Sequence, residues 1–106
     1  MPIIVTTVVH TGGLMQFEWD EEKNRLNIQK HGIDFHDVIE MFDHPMLVQA
    51  DNRDDYGEYR WVGVGMMKMH AGVVVYTERV DDVIRIISAR KANKYEVKGY
   101  AQYIQN

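Results

Sequence analysis

The chain has 106 residues, 45% hydrophobic and 26% charged, with 12 Lys+Arg against 16 Asp+Glu and a formal net charge of -4. This is ordinary globular usage at the length of one domain, and it excludes a disordered, collagen-like or low-complexity chain. With no cysteine present, disulfides, thiolate metal sites and a cysteine nucleophile are excluded as well.

The first apolar run, Ile3 to Val9, is rich in Ile, Val and Thr and reads as a β-strand. It falls far short of the roughly 20 residues of a membrane span, and it lacks the flanks of a signal peptide. Thr11-Gly12-Gly13 breaks the pattern, and Met15 follows as an alternative start. Residues 1–14 are therefore expected to be an N-terminal extension pairing on a sheet edge, and residues 15–106 a single domain.

Phe17-Glu18-Trp19 reads as a brief strand. Asp20 is placed to cap a helix over about residues 21–31, with Glu21 and Glu22 in its first turn, Leu26 and Ile28 as apolar positions, and Gly32 as its terminator. Asp34 caps a second, short helix that ends at His44-Pro45. Met46 to Ala50 reads as a strand, and residues 51–57 as a polar loop. Three β-rich runs follow, Tyr59–Met69, Gly72–Glu78 and Val83–Ala89, joined by connections too short for parallel crossovers. Ala92 to Ile104 returns to helical character despite Gly99. The order predicts an α+β domain: an antiparallel sheet of about four strands flanked by two N-terminal helices and one C-terminal helix.

Charge is unevenly spread. Residues 16–60 carry 5 Lys/Arg and 12 Asp/Glu, whereas residues 61–106 carry 7 and 4. Lys91, Lys94 and Lys98 share one helix face beside Arg90, a stripe able to meet RNA; a solvated helix face explains the same spacing. The five histidines form no H-E-x-x-H pair, and a metal-dependent hydrolase built on His31, His36 and nearby carboxylates ranks last, so no metal or other cofactor is expected. Gly63-Val64-Gly65 lies inside a strand pattern and reads as close packing, not as a phosphate loop. Ser88, without an elbow motif, is discarded as a nucleophile.

What remains is a set of cations, His31 and Glu58. Glu58 and Arg60 share a sheet face, and Arg85 interrupts an apolar strand, which is costly unless it pairs or faces a groove. His31 sits where a helix C-terminus favours a cation. These types permit metal-free RNA cleavage, in which a 2′-hydroxyl attacks phosphorus while guanidiniums hold the phosphoryl oxygens. Ion pairing between Glu58 and Arg60 or Arg85 explains them equally well.

Three segments narrow the choice: Phe17-Glu18-Trp19-Asp20-Glu21-Glu22-Lys23 with Asn27 to Phe35; Gly57-Glu58-Tyr59-Arg60-Trp61-Val62-Gly63; and Tyr76-Thr77-Glu78-Arg79 with Ile84 to Ala92, closing at Glu96 and Tyr100. Together, over about residues 16–103, the chain resembles the BrnT family of bacterial type II toxins. The resemblance implies a RelE-like fold and a cytoplasmic, metal-independent endoribonuclease that inhibits translation. It implies a BrnA-like antitoxin partner that neutralises the toxin and makes the DNA contacts, with a dimer or heterotetramer as the assembly and no membrane association. It places Lys30, His31, Glu58, Arg60, Arg85 and Arg90 at the polar signature positions: His31 or Glu58 for proton transfer, Arg60, Arg85 and Arg90 for phosphate, and Lys30 assisting. Tyr76 and Tyr100 are read as packing residues. The competing expectation is a non-catalytic, toxin-like interaction module acting only within an antitoxin repressor complex.

Overall fold

A computed structural model describes the backbone of residues 3–10 and 13–105 and the side chains of residues 15–105. The break expected at Thr11-Gly12 lies outside the described residues. The elements are β1 (Ile3–His10), β2 (Gly13–Asp20), α1 (Glu21–His31), α2 (Phe35–Val38) running into a 3-10 turn at Ile39–Asp43, β3 (Leu47–Ala50), β4 (Trp61–Met66), β5 (Ala71–Arg79), β6 (Val83–Lys91) and α3 (Lys94–Gln105).

The helix boundaries have local causes. Asp20 caps α1 by accepting from the backbone N–H groups of Glu22 and Lys23 at 2.9 and 3.4 Å. At the other end Gly32 adopts φ 71°, a left-handed conformation that costs glycine little, and its N–H closes on the Ile28 carbonyl at 2.8 Å. Asp34 caps α2 through the His36 N–H. Gly99 does not interrupt α3.

The sheet departs from the expected four antiparallel strands. Among the described residues it has six strands, in the order β1-β2-β6-β5-β4-β3. β3 to β6 pair antiparallel, but β2 lies parallel to β6 over Gln16–Glu18, and β1 pairs antiparallel with β2 at the edge. The parallel junction has a topological reason: α1, α2 and three strands separate β2 from β6, which gives the long connection that parallel pairing requires.

The two faces of this sheet are covered differently. On one, Phe17, Trp19, Tyr76, Ile84 and Ile86 pack with Phe35, Val38 and Met41 from α2 and the 3-10 turn, forming the main core. Phe42 stands 5.2 Å from Phe17 and 5.0 Å from Tyr76, centroid to centroid. The glycines of β4 let this layer close: a Cβ on Gly65 would stand 2.7 Å from Met46 Cγ, which fits the close-packing reading of that motif. On the other face, α3 covers Val64 and Val73 with Tyr100, whose hydroxyl donates to the Pro45 carbonyl at 2.8 Å. The rest of that face carries the polar residues.

α1 docks in a way that inverts its apolar pattern. Leu26 and Ile28 are exposed, and the buried side chains are Asn24 and Asn27. Asn27 donates to the Ile33 carbonyl at 2.9 Å and accepts from the Ala89 N–H at 3.1 Å, where β6 has run past the end of β2. Asn24 bridges Asp34 and the Phe35 N–H. The helix is thus anchored to a strand edge by hydrogen bonds that satisfy otherwise orphaned backbone groups.

Candidate functional site

β6 decides which side chains reach the open face. Its pairing with β5 slips between Val75 and Tyr76: Ser88 lies opposite Val75, but Ile86 lies opposite Tyr76, so Ile87 is extra. This bulge resets the alternation. Ile84, Ile86 and Ala89 enter the main core, whereas Arg85, Ser88 and Arg90 turn to the opposite face.

There, a concavity of about 250 Å³ opens beside the C-terminus of α1, lined by Lys30, His31, Arg53, Ser88 and Arg90 over a floor that includes Val62, Val73 and Val75. The cross-strand register explains the floor, since Val62, Val75 and Ser88 stand side by side on β4, β5 and β6. Lys30 and His31 arrive from the helix that Asn27 fastens to β6. A second concavity, of about 540 Å³, lies between β3, β4 and α3, and it too is walled by Arg53 and Arg90.

Each guanidinium here is held by its own carboxylate. Arg53 Nε donates to Asp51 Oδ1 at 2.7 Å and Nη2 to Oδ2 at 2.8 Å. The Asp51 side chain is only 1% exposed. Hydrogen bonding from the Arg53 side chain outweighs burial and, with the Arg53 N–H, holds the Asp51 carboxyl down at about 2. Arg90 makes a two-pronged pair with Glu96, both bonds at 2.8 Å. The same bonds hold the Glu96 carboxyl below its usual range and raise Arg90. Glu96 is itself fixed by a reciprocal cap with Asn93: the Asn93 N–H donates to Glu96 Oε1 at 2.8 Å, and the Glu96 N–H to Asn93 Oδ1 at 2.9 Å.

The sequence matches the family described as "Ribonuclease toxin, BrnT, of type II toxin-antitoxin system" over residues 19–96. The chain belongs to that family. A crystal structure of the Brucella abortus ribonuclease toxin BrnT is similar, with a TM-score of 0.59 and 29% identity over 72% of this chain and 94% of that one. Among curated proteins none matches. The BrnT family is named for ribonuclease activity, and its type II toxin–antitoxin setting brings with it an antitoxin partner. No described helix is long and apolar enough to cross a membrane.

The six signature residues of the resemblance divide into groups. Lys30, His31 and Arg90 meet in the smaller concavity. Arg85 faces the same side of the sheet but is bonded to Glu18 through Nε and Nη2, at 2.9 and 2.7 Å. Arg60 bonds to Glu58 at 3.1 Å and lies over the Tyr56 ring, 4.0 Å from its centroid. Glu58 lines a different hollow, with Thr77 and Arg79. Lys91 ends β6 and only Lys94 and Lys98 lie on α3, so the three do not share one helix face as the spacing suggested; all three are exposed and line neither concavity. Tyr76 and Tyr100 are buried as packing residues, and burial, aided by the charge of Glu78, pushes the Tyr76 hydroxyl up to about 12.

Sequence reasoning missed Arg53 and Ser88 as lining residues. Arg53 sits in a polar loop, and the only local signal was an acidic residue two positions before it. Ser88 was visible, but its position on the open face depends on the bulge. Among the described residues no three His, Asp or Glu side chains gather to share a metal ion. His36 instead bonds to Asp34 at 2.9 Å and packs edge-on against Trp19.

Proposed function

We propose that the chain is a metal-independent endoribonuclease, that its reaction centre is the concavity at the end of α1, and that it inhibits translation in the cytoplasm until a DNA-binding antitoxin neutralises it. The observation that carries this is the meeting of Lys30, His31, Arg53 and Arg90 around one open hollow. A phosphodiester is an anion, and two guanidiniums held by carboxylates, a lysine and an imidazole supply what its cleavage needs. The neutral imidazole of His31 takes the proton of a ribose 2′-hydroxyl. The oxygen bonds to the adjacent phosphorus, and Arg53, Arg90 and Lys30 hold the charge gathering on the phosphoryl oxygens. The bond to the 5′-oxygen breaks, and that oxygen receives a proton from the imidazolium or from Lys30. The products are a 2′,3′-cyclic phosphate and a 5′-hydroxyl end. Arg60, Glu58 and Arg85 frame the RNA path as ion-paired groups on either side, and Lys91, Lys94 and Lys98 add charge at its margin. Residues 1–14 act as an extension of a domain spanning 15–106, with Ile3–His10 as its edge strand.

One observation favours a second reading, a toxin-like interaction module without catalysis: Arg53, Arg60, Arg85 and Arg90 are each already paired with a carboxylate. Induced expression separates the two. The nuclease reading expects growth arrest and RNA ending in 2′,3′-cyclic phosphates, with the purified protein cleaving equally in EDTA and in magnesium. It also expects His31→Ala to slow cleavage by about 10²- to 10⁴-fold. Harmless expression with intact RNA leaves the interaction module.

A further inference from the structure

The reaction above uses the smaller concavity only. The larger one is its neighbour, and the wall between them is made of Arg53, Arg90 and Val62. Two like charges stand on that wall, close enough for the charge of Arg53 to work against that of Arg90. The repulsion is met by Asp51 and Glu96, which take Nε and Nη2 of Arg53 and both Nη atoms of Arg90. The Tyr56 hydroxyl joins the Arg53–Asp51 pair, and Arg90 Nε is left outside the pair with Glu96. A wall built this way is stable without a ligand, and it still offers the two guanidinium charges to an anion that spans it.

Beyond the wall the rim changes. Like the smaller concavity, the larger one has an apolar floor, here including Val64. Its rim carries the amides of Gln49 and Asn52 and, from the first turn of α3, the ring of Tyr95. Tyr95 is 80% exposed, the least covered tyrosine of the helix. A bare phosphate has no use for an aromatic plate and amide edges. An unpaired nucleobase uses both, because it stacks by its faces and bonds by its edge.

We propose that the larger concavity is a nucleotide subsite, in which one unpaired base of the RNA strand stacks on Tyr95 and has its edge read by Gln49 and Asn52. Arg53 and Arg90 grip the phosphate joining that nucleotide to the one at His31. The inference rests on the nuclease reading and adds to it a substrate class, single-stranded RNA, and a place where base preference arises. Arg53 and Arg90 then each serve two nucleotides at once.

The test uses the full chain and 2′-O-methyl oligoribonucleotides, whose blocked 2′-oxygen prevents cleavage and leaves binding as the readout. Wild type is expected to bind them with a preference for the base at one position. Tyr95→Ala is expected to weaken binding roughly fivefold or more, and Gln49→Ala to narrow the preference between bases. Tyr103→Ala, on the same helix but lining neither concavity, controls for damage to α3 and is expected to bind as wild type does. Absence of binding by wild type, or equal binding by the Tyr95 and Tyr103 variants, overturns the subsite. Cleavable RNA is run in parallel, and the two ideas fail separately. Cleavage by wild type with no effect of Tyr95→Ala on binding removes the subsite alone, whereas intact RNA removes the nuclease reading.

Discussion

Glu18 and Arg85 are register partners across the parallel junction of β2 and β6, and two donors of Arg85, Nε and Nη2, converge on the single oxygen Oε2. A second cation, Arg79, lies 3.9 Å from the other oxygen. The side chain of Glu18 is 16% exposed, so removing Arg85 takes both hydrogen bonds from a largely covered carboxylate and leaves it only the more distant Arg79. Arg85→Ala is therefore expected to cost about 1–2 kcal/mol in denaturant unfolding, whatever it does to RNA. Combining it with Glu18→Ala is expected to cost less than the sum of the single losses, with a coupling of about 1 kcal/mol. If Arg85 serves structure alone, the double variant also regains toxicity lost in the single one. If Arg85 touches RNA, toxicity stays lost. Additive unfolding losses would show that the pair does not couple.

Asn27 is the second place where stability and site meet. Its amide satisfies the Ile33 carbonyl and the Ala89 N–H together. Asn27→Ala leaves both without that partner in a buried setting, for an expected loss of about 2 kcal/mol. It also frees the helix end that carries Lys30 and His31. Hydrogen exchange checks the mechanism: the Ala89 amide is expected to exchange faster in the variant by a larger factor than the Val74 amide, which lies across the strand pair from it. Equal acceleration at both positions indicates global destabilisation only.

The charge holding Arg53 gives a pH signature. The Asp51 carboxyl is held at about 2 in the folded chain, against 3.8 for an ordinary aspartate. A lowered folded value means that the stabilisation is fully present above about pH 4 and fades as pH falls toward about 2. Glu96, lowered by Arg90, moves in the same direction. Thermal melts from pH 7 to pH 2 are expected to show a steep acid limb in wild type. Asp51→Asn is expected to begin lower at pH 7, because Arg53 loses its charged partner, and to fall less on acidification. An unchanged acid limb in the variant would assign the loss to other carboxylates.

These three sites also mark where the fold and site were legible in the sequence and where they were not. Helix caps were legible because Asp20, Gly32 and Asp34 act on backbone groups within a few residues. The strands from Met46 onward were legible from alternation and short connections. The parallel β2–β6 junction was not, since nothing local in Phe17-Glu18-Trp19 says that its neighbour lies in residues 83–85. The docking of α1 misled for a related reason: Leu26 and Ile28 carry the apolar signal, but the buried side chains of the helix are two asparagines, whose partners are backbone groups of Ile33, Phe35 and Ala89 and the Asp34 carboxylate. Lys30 was visible only through family resemblance, whereas His31 was marked by its place at a helix end and Arg90 by the cations around it. Arg53 had no motif to show it, and the shared facing of Arg85, Ser88 and Arg90 followed from one extra residue, Ile87, that strict alternation does not foresee.

The lysines of the C-terminal segment give the last prediction. Lys91, Lys94 and Lys98 are exposed and lie outside both concavities, so they have no part in positioning the reacting atoms. If they act on RNA, they do so through phosphate charge at the margin, and such contacts appear as salt dependence. For a single strand, each phosphate neutralised adds about 0.7 to the slope of log affinity against log salt. Lys94→Ala with Lys98→Ala is expected to lower that slope by roughly one to one and a half and to weaken binding uniformly across sequences. Stability is expected to stay within about 0.5 kcal/mol, as is usual for exposed positions. The discriminating measurement is oligonucleotide affinity at several salt concentrations. A slope equal to that of wild type would return these residues to the role of a solvated helix face and leave Arg53, Arg90 and Lys30 as the cations that meet phosphate.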